Sequence, residues 1–304
     1  MTGHGHGHDD EELPAGITAV VELPDPRLRS AWERMVLPAG VKTRLCSWAV
    51  LALEHGHRLT LESSGLQRLL LLSGPPGTGK STTARGLADA AVRELGGDGL
   101  LIEVDPHALP SDLLGQSQRN VVKLLRHTLP AVSAGRRAVV LVDEVEAFAT
   151  RRSSASFDTN PADLHRATDA VLAGLDHLAS ELDSLLVVAT TNFATAVDEA
   201  MLSRADWTVE FAYPDAEAAA RIVQGSLTAL AQEWPSLAEL ASDAGLVAKV
   251  ADRCAGHDGR TLAKLGTLAL SLRPETARDP GRLTAEDVLD AADLVVSGTL
   301  RERR

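Results

Sequence analysis

The sequence predicts an α/β domain with a mostly parallel sheet between helices, followed by a small all-helical domain. Three observations lead there. Short apolar runs at residues 69–72, 100–104, 138–142 and 185–190 alternate with stretches of helical spacing. Strands that are apolar at every position fit a sheet covered on both faces. A glycine-rich loop joins the first of these runs to a helix-compatible stretch, and after Pro214 the runs cease and only helical periodicity continues.

In chain order, residues 1–15 read as a disordered tail. His4, His6 and His8 alternate with glycines ahead of the acidic run 9–12, a composition that cannot bury a core. Alternating histidines can bind Ni²⁺ or Zn²⁺ weakly, and a solvated tail is the simpler reading. Residues 17–23 fit a short strand closed by Pro24 and Pro26, and residues 41–53 have helical periodicity. The glycine loop and a helix at 82–92 follow, then a turn at Gly96-Gly97-Asp98-Gly99 and the strand at 100–104. Helical spacing spans 113–129, the strand 138–142 ends in Asp143-Glu144, and a long amphipathic helix covers 162–182 before the strand at 185–190. Beyond Pro214, helices are expected at 216–231, 237–254, 259–272 and 284–296, the last opening on a capping sequence, Thr284-Ala285-Glu286-Asp287. The expected division is therefore 1–15, 16–213 for the α/β domain and 214–304 for the helical domain.

The 304 residues are 44% hydrophobic and 24% charged, with a net charge of −12 and only 3% aromatic residues. This is a soluble globular composition with an aliphatic core, and its acidity argues against nonspecific binding to nucleic acid. Cys46 and Cys254 form no metal-spaced cluster, and no segment is long enough for a membrane span. The polar, acidic start is not a secretory signal, so a cytoplasmic protein is expected.

The chemistry begins at Gly74-Pro75-Pro76-Gly77-Thr78-Gly79-Lys80-Ser81, which fits G-x-x-x-x-G-K-[ST] at every fixed position. Between a strand and a helix, such a loop turns backbone N–H groups around phosphate oxygens, and the helix that contains Thr82 presents its positive end to the same anion. Lys80 is expected to contact the β- and γ-phosphates of ATP, and the Ser81 hydroxyl to ligate Mg²⁺. Asp143 is expected to hold Mg²⁺ through water, and Glu144 to polarise the attacking water. Asn192, at the end of the strand expected between those of Lys80 and Asp143, is placed to sense the γ-phosphate, although an isolated asparagine there also serves as a cap.

These elements, in this order, resemble an AAA+ ATPase, from about residue 32 to residue 300. The fold implied is a P-loop AAA+ core, a parallel sheet between helices, followed by a small all-helical lid domain. Asp143-Glu144-Val145-Glu146 is similar to the motif of the pachytene-checkpoint ATPases, which remodel HORMA-domain proteins. So are Pro161-Ala162-Asp163-Leu164-His165-Arg166 with Ala170-Val171-Leu172 and Asp176, the segment Ser203-Arg204-Ala205-Asp206, and Gly259-Arg260 with Leu262 and Lys264-Leu265. The resemblance implies a hexameric ring with ATP at subunit interfaces and a HORMA-domain protein gripped in the central pore. Arg204 becomes an arginine finger toward a neighbouring subunit, where by itself it would read as a salt-bridge arginine. Arg260 becomes a phosphate sensor in the lid, where the alternative is an ordinary arginine at a helix start. Residues 107–121 correspond to the pore loop. There Leu113 and Leu114 stand where the family usually has an aromatic residue, and leucines at this spacing also suit a helix core. Only about thirty residues precede Trp32, as in short bacterial members found in cyclic-oligonucleotide antiphage signalling (CBASS) operons, which disassemble an activated HORMA complex. A general AAA+ unfoldase or motor, and a nucleotide switch without turnover, are the alternatives.

Overall fold

The computed structural model describes residues 13–59, 61–108, 116–147 and 161–297. Six strands form one sheet in the order β1-β3-β4-β5-β2-β6. They are β1 (Ile17–Leu23), β2 (Leu69–Ser73), β3 (Gly99–Val104), β4 (Arg137–Val142), β5 (Leu185–Thr191) and β6 (Trp207–Glu210). Only β1 runs antiparallel, pairing with β3 at one edge. The other pairings are parallel, so β2, β4 and β5 end on the same side of the sheet. Loops gathered at the carboxyl ends of parallel strands form the usual ligand crevice of such sheets.

Alternate residues of each central strand enter different cores, as the period of two requires. Leu70, Leu72, Val139, Leu141 and Val188 face one layer, with Leu45, Leu53 and Leu87. That layer comprises α1 (Pro26–Arg34), α2 (Val41–His55) and α4 (Lys80–Glu94), with the short α3 (Leu61–Ser64) following α2 in the chain. Leu69, Leu71, Ile102, Val140 and Val187 face the other, with Leu124, Leu129, Val171 and Leu178. Its helices are α5 (Gln116–Lys123), α6 (Leu129–Ser133) and α7 (Pro161–Glu181).

The expected helix at 113–129 is interrupted. A π-helical turn at Leu124–Thr128 separates α5 from α6. Pro130 supplies the reason: it has no N–H to donate, and its ring crowds the carbonyl four residues back, so the turn before it widens. Residues 113–115 of that expectation lie outside the described residues.

At Pro26 the structure differs from expectation again. The leading segment holds a helix where only a strand was expected. Asp25 accepts a hydrogen bond from the Arg27 N–H at 2.7 Å, and Pro26 occupies the first helical turn, where its missing donor costs nothing. Trp32 of α1 packs on α4 at Gly86, where a Cβ would lie 2.9 Å from the Trp32 Cβ.

A short helix, α8 (Glu199–Leu202), leads to β6, which pattern reading missed. Asp206 fixes this edge. Its Oδ1 accepts from the Gln67 N–H at 2.9 Å and its Oδ2 from the Leu69 N–H at 3.0 Å. Burial pushes this carboxyl above the usual range, and the backbone N–H groups oppose the shift. Asp206→Ala strands both donors, and urea unfolding should show a loss of about 2 kcal/mol.

The chain then leaves the sheet for a helical region. It comprises α9 (Ala216–Glu233), α10 (Ala238–Ser242), α11 (Ala244–Arg253), α12 (Gly259–Ser271), α13 (Pro274–Arg278) and α14 (Ala285–Ser297). Its separate core includes Val223, Leu227, Val250, Leu262, Leu265 and Val288. The helix expected at 237–254 is broken at Asp243, which adopts extended backbone and caps α11 by accepting from the Leu246 N–H at 2.9 Å. No described helix is long and apolar enough to cross a membrane.

Candidate nucleotide site

The glycine loop between β2 and α4 takes conformations that side chains resist. Gly74, Gly77 and Gly79 have φ of 141°, 79° and 95°. All three also lie against other chain segments, Gly79 least tightly, where a Cβ would fall 3.1 Å from Met35 Sδ. A Cβ at Gly74 would fall 2.0 Å from the Phe211 carbonyl oxygen, and one at Gly77 would fall 2.2 Å from Asp258 Oδ1. Thr78 Oγ1 donates to the Pro75 carbonyl at 2.8 Å, bracing the loop from within. No side chain caps the start of α4, because its N-cap is Gly79. The first N–H groups of that helix are thus oriented toward an external acceptor.

Lys80 lies beneath the loop. Its Nζ donates to the carbonyls of Gly74 at 2.7 Å and Pro75 at 2.9 Å and to Asn192 Oδ1 at 2.9 Å. Burial lowers the pKa of this ammonium, opposed by Asp143, Glu146 and Glu144. A phosphate would oppose the same desolvation more directly, so an anion fits here.

The ends of β4 and β5 supply the rest. Ser81 Oγ donates to Asp143 Oδ1 at 2.7 Å. Thr190 Oγ1 donates to the same carboxylate oxygen and accepts from the Glu144 N–H at 3.1 Å. Hard oxygen donors this close suit a divalent cation such as Mg²⁺, held with substrate phosphates and water. Glu144 follows at φ 56°, a left-handed conformation that turns its side chain sharply off the strand direction. Asn192 Nδ2 donates to Glu144 Oε1 at 2.9 Å, and the Asn192 N–H donates to Glu146 Oε1 at 3.1 Å. Because β5 lies between β2 and β4, the expected strand position, Asn192 bridges Lys80 and Glu144.

A cleft of about 520 Å³ opens over these groups. The expected residues Pro76, Thr82 and Arg260 line it. Arg260 sits at the start of α12, and its N–H donates to the Gly77 carbonyl at 3.0 Å, so the helical region rests directly on the glycine loop. Met35 and Val36 after α1, Ile222 of α9 and Ala263 of α12 form apolar walls that sequence reading did not find. Nothing local marks them, since their meeting is tertiary. Two further residues were also missed. Thr190 carried a signal, a hydroxyl ending an otherwise apolar strand. His107, whose Nε2 lies 3.2 Å from Glu144 Oε2, was read only as the first residue of the pore-loop stretch 107–121.

Arg204 stands apart from the cleft lining. Its Nε donates to Asp176 Oδ1 at 2.9 Å, one terminal nitrogen to Oδ2 at 3.0 Å and the other to the Ala200 carbonyl at 3.1 Å. Leu113 and Leu114 lie outside the described residues.

The profile of the ATPase family associated with various cellular activities (AAA) matches residues 70–213. CD-NTase-associated protein 6 of Pseudomonas aeruginosa is 38% identical over 93% of this chain and 93% of its own. The putative pachytene checkpoint protein 2 of Caenorhabditis elegans is 27% identical over 88% of this chain and 68% of its own. The chain belongs to the pachytene checkpoint family of AAA ATPases. A structure of an E. coli MS115-1 HORMA:CdnC:Trip13 complex matches this AAA ATPase with a TM-score of 0.73 and 18% identity, over 91% of this chain and 94% of that one, a likeness of fold. The mixed six-stranded sheet and the helical carboxyl-terminal region are thus those of the AAA ATPases.

Proposed function

We propose that this AAA ATPase hydrolyses ATP at a site shared between the subunits of a hexameric ring and uses that turnover to remodel a HORMA-domain protein in the cytoplasm. The observation that carries the hydrolytic reading is the linked set Lys80–Asn192–Glu144 beneath the glycine loop, with Ser81 and Asp143 beside it. The loop N–H groups bind the β- and γ-phosphates, and Lys80 exchanges its carbonyl partners for phosphate oxygens. Asn192 turns from Lys80 to the γ-phosphate, and Glu144 orients the attacking water and accepts its proton. Ser81 and Asp143 hold Mg²⁺, which neutralises phosphate charge when bound. Arg260 senses the phosphates from residues 214–304, which act as a lid on residues 16–213.

The partner reading rests on the relatives. One is named for association with a CD-NTase, and a structural neighbour was solved with a HORMA protein and CdnC. Arg204 supports the ring: it lies off its own cleft, where a finger acting on a neighbour belongs. Leu113 and Leu114 are assigned to the pore.

The test combines this ATPase with the HORMA-domain protein of the same genome and follows partner conformation by protease sensitivity. Partner conversion should require ATP and be lost in the Leu113→Ala, Leu114→Ala double variant. Hydrolysis without any change in the partner would refute the remodelling reading.

A further inference from the structure

Among the described residues Glu144 has two side-chain partners, and under the proposed function ATP competes for only one of them. Oε1 accepts from Asn192 Nδ2 at 2.9 Å, and Oε2 lies 3.2 Å from His107 Nε2. Asn192 belongs to the set that must turn toward phosphate under the function proposed above, on which this inference rests. His107 does not. It does not line the nucleotide cleft but an adjoining cavity of about 240 Å³, with Glu103 and Asp105, that shares Arg85, Asp143 and Glu144 with that cleft. We propose that His107 is a positioning residue: it holds the Glu144 carboxylate toward the attacking water after Asn192 has let go.

The histidine is well anchored for that task. Its own N–H donates to Asp105 Oδ1 at 2.8 Å, closing the turn Pro106–Ala108, and the Asp105 N–H donates to the Gly16 carbonyl at 3.1 Å. The imidazole therefore projects from the β1–β3 edge of the sheet, independently of the glycine loop. A carboxylate only accepts, so Nε2 carries the proton that lies between them. Glu144 needs such a hold. Its side chain is 50% exposed, and its left-handed backbone does not by itself restrict the rotation of the carboxylate. A bond to Oε2 leaves Oε1 available for the water's proton. A base that rotates freely loses rate through orientation and leaves ATP affinity untouched.

The experiment compares His107→Phe, which keeps a ring without a donor, with His107→Gln, which restores an N–H. Steady-state hydrolysis should show kcat lowered about tenfold in His107→Phe, with KM for ATP unchanged. His107→Gln should recover most of the loss. Binding of a fluorescent ATP analogue and the melting temperature should match the parent in both variants, since His107 is exposed and lies outside the nucleotide cleft. A kcat for His107→Phe equal to or above that of the parent overturns the proposal, as does a glutamine variant no faster than the phenylalanine one. Undiminished turnover by a Glu144→Gln control would instead overturn the hydrolytic reading beneath it.

Discussion

Glu144→Gln should bind ATP as tightly as the parent chain and hydrolyse it about a thousandfold more slowly, within the range general-base removal produces. The amide keeps the size of the side chain and can still accept at its oxygen from Asn192, so the geometry around the glycine loop persists. What it loses is the ability to take a proton from water. Binding should be unaffected because, on the proposed reading, Lys80 and the loop N–H groups hold the phosphates, and Ser81 and Asp143 would hold Mg²⁺, without Glu144. Equilibrium binding of a fluorescent analogue and single-turnover release of phosphate separate the two effects. Hydrolysis at the parental rate would remove Glu144 from the chemistry. Weak binding would show that the carboxylate organises the loop.

Arg204→Ala should be nearly as severe, a loss of about a thousandfold in turnover, the magnitude expected of a transition-state arginine. Affinity in the isolated subunit should not change, because Arg204 lies off its own cleft. The decisive measurement is mixing. Lys80→Ala subunits carry an intact Arg204 and a dead cleft, and Arg204→Ala subunits carry the reverse. Neither turns over alone, and together they regain activity at interfaces that pair a sound cleft with a sound arginine. No recovery at any ratio would contradict a shared site. In the free chain Arg204 is engaged by both oxygens of Asp176, so a finger role would require assembly to exchange this two-pronged ion pair for nucleotide phosphate.

What could be read from the sequence follows from how local each determinant is. The central strands were legible because burial on both faces makes them apolar at every position, as at residues 69–72 and 138–142. The edge strand β6 was not. Four residues with Trp207 and Val209 turned partly inward and Thr208 and Glu210 exposed carry too little pattern. Helix α1 was hidden because Pro26 reads equally as a strand terminator and as a first-turn residue, and Asp25 decides between them. The glycine loop, Asp143 and Glu144 are motifs contiguous in sequence, and Asn192 followed from strand order. His107 and the apolar walls at Met35, Val36 and Ile222 arise where separate segments meet.

The close approach of Gly74 to Phe211 has a mechanical consequence. The Phe211 N–H donates to the Ser73 carbonyl at 2.7 Å, so the chain leaves the sheet one residue from the start of the phosphate loop. Pro214 and the 18-residue α9 follow within a few residues. A hinge at this point would therefore lie one residue from the glycine loop, at the root of an α9 arm about 27 Å long at about 1.5 Å per residue. A rotation of about 10° at this fulcrum carries the far end of that arm on the order of 5 Å.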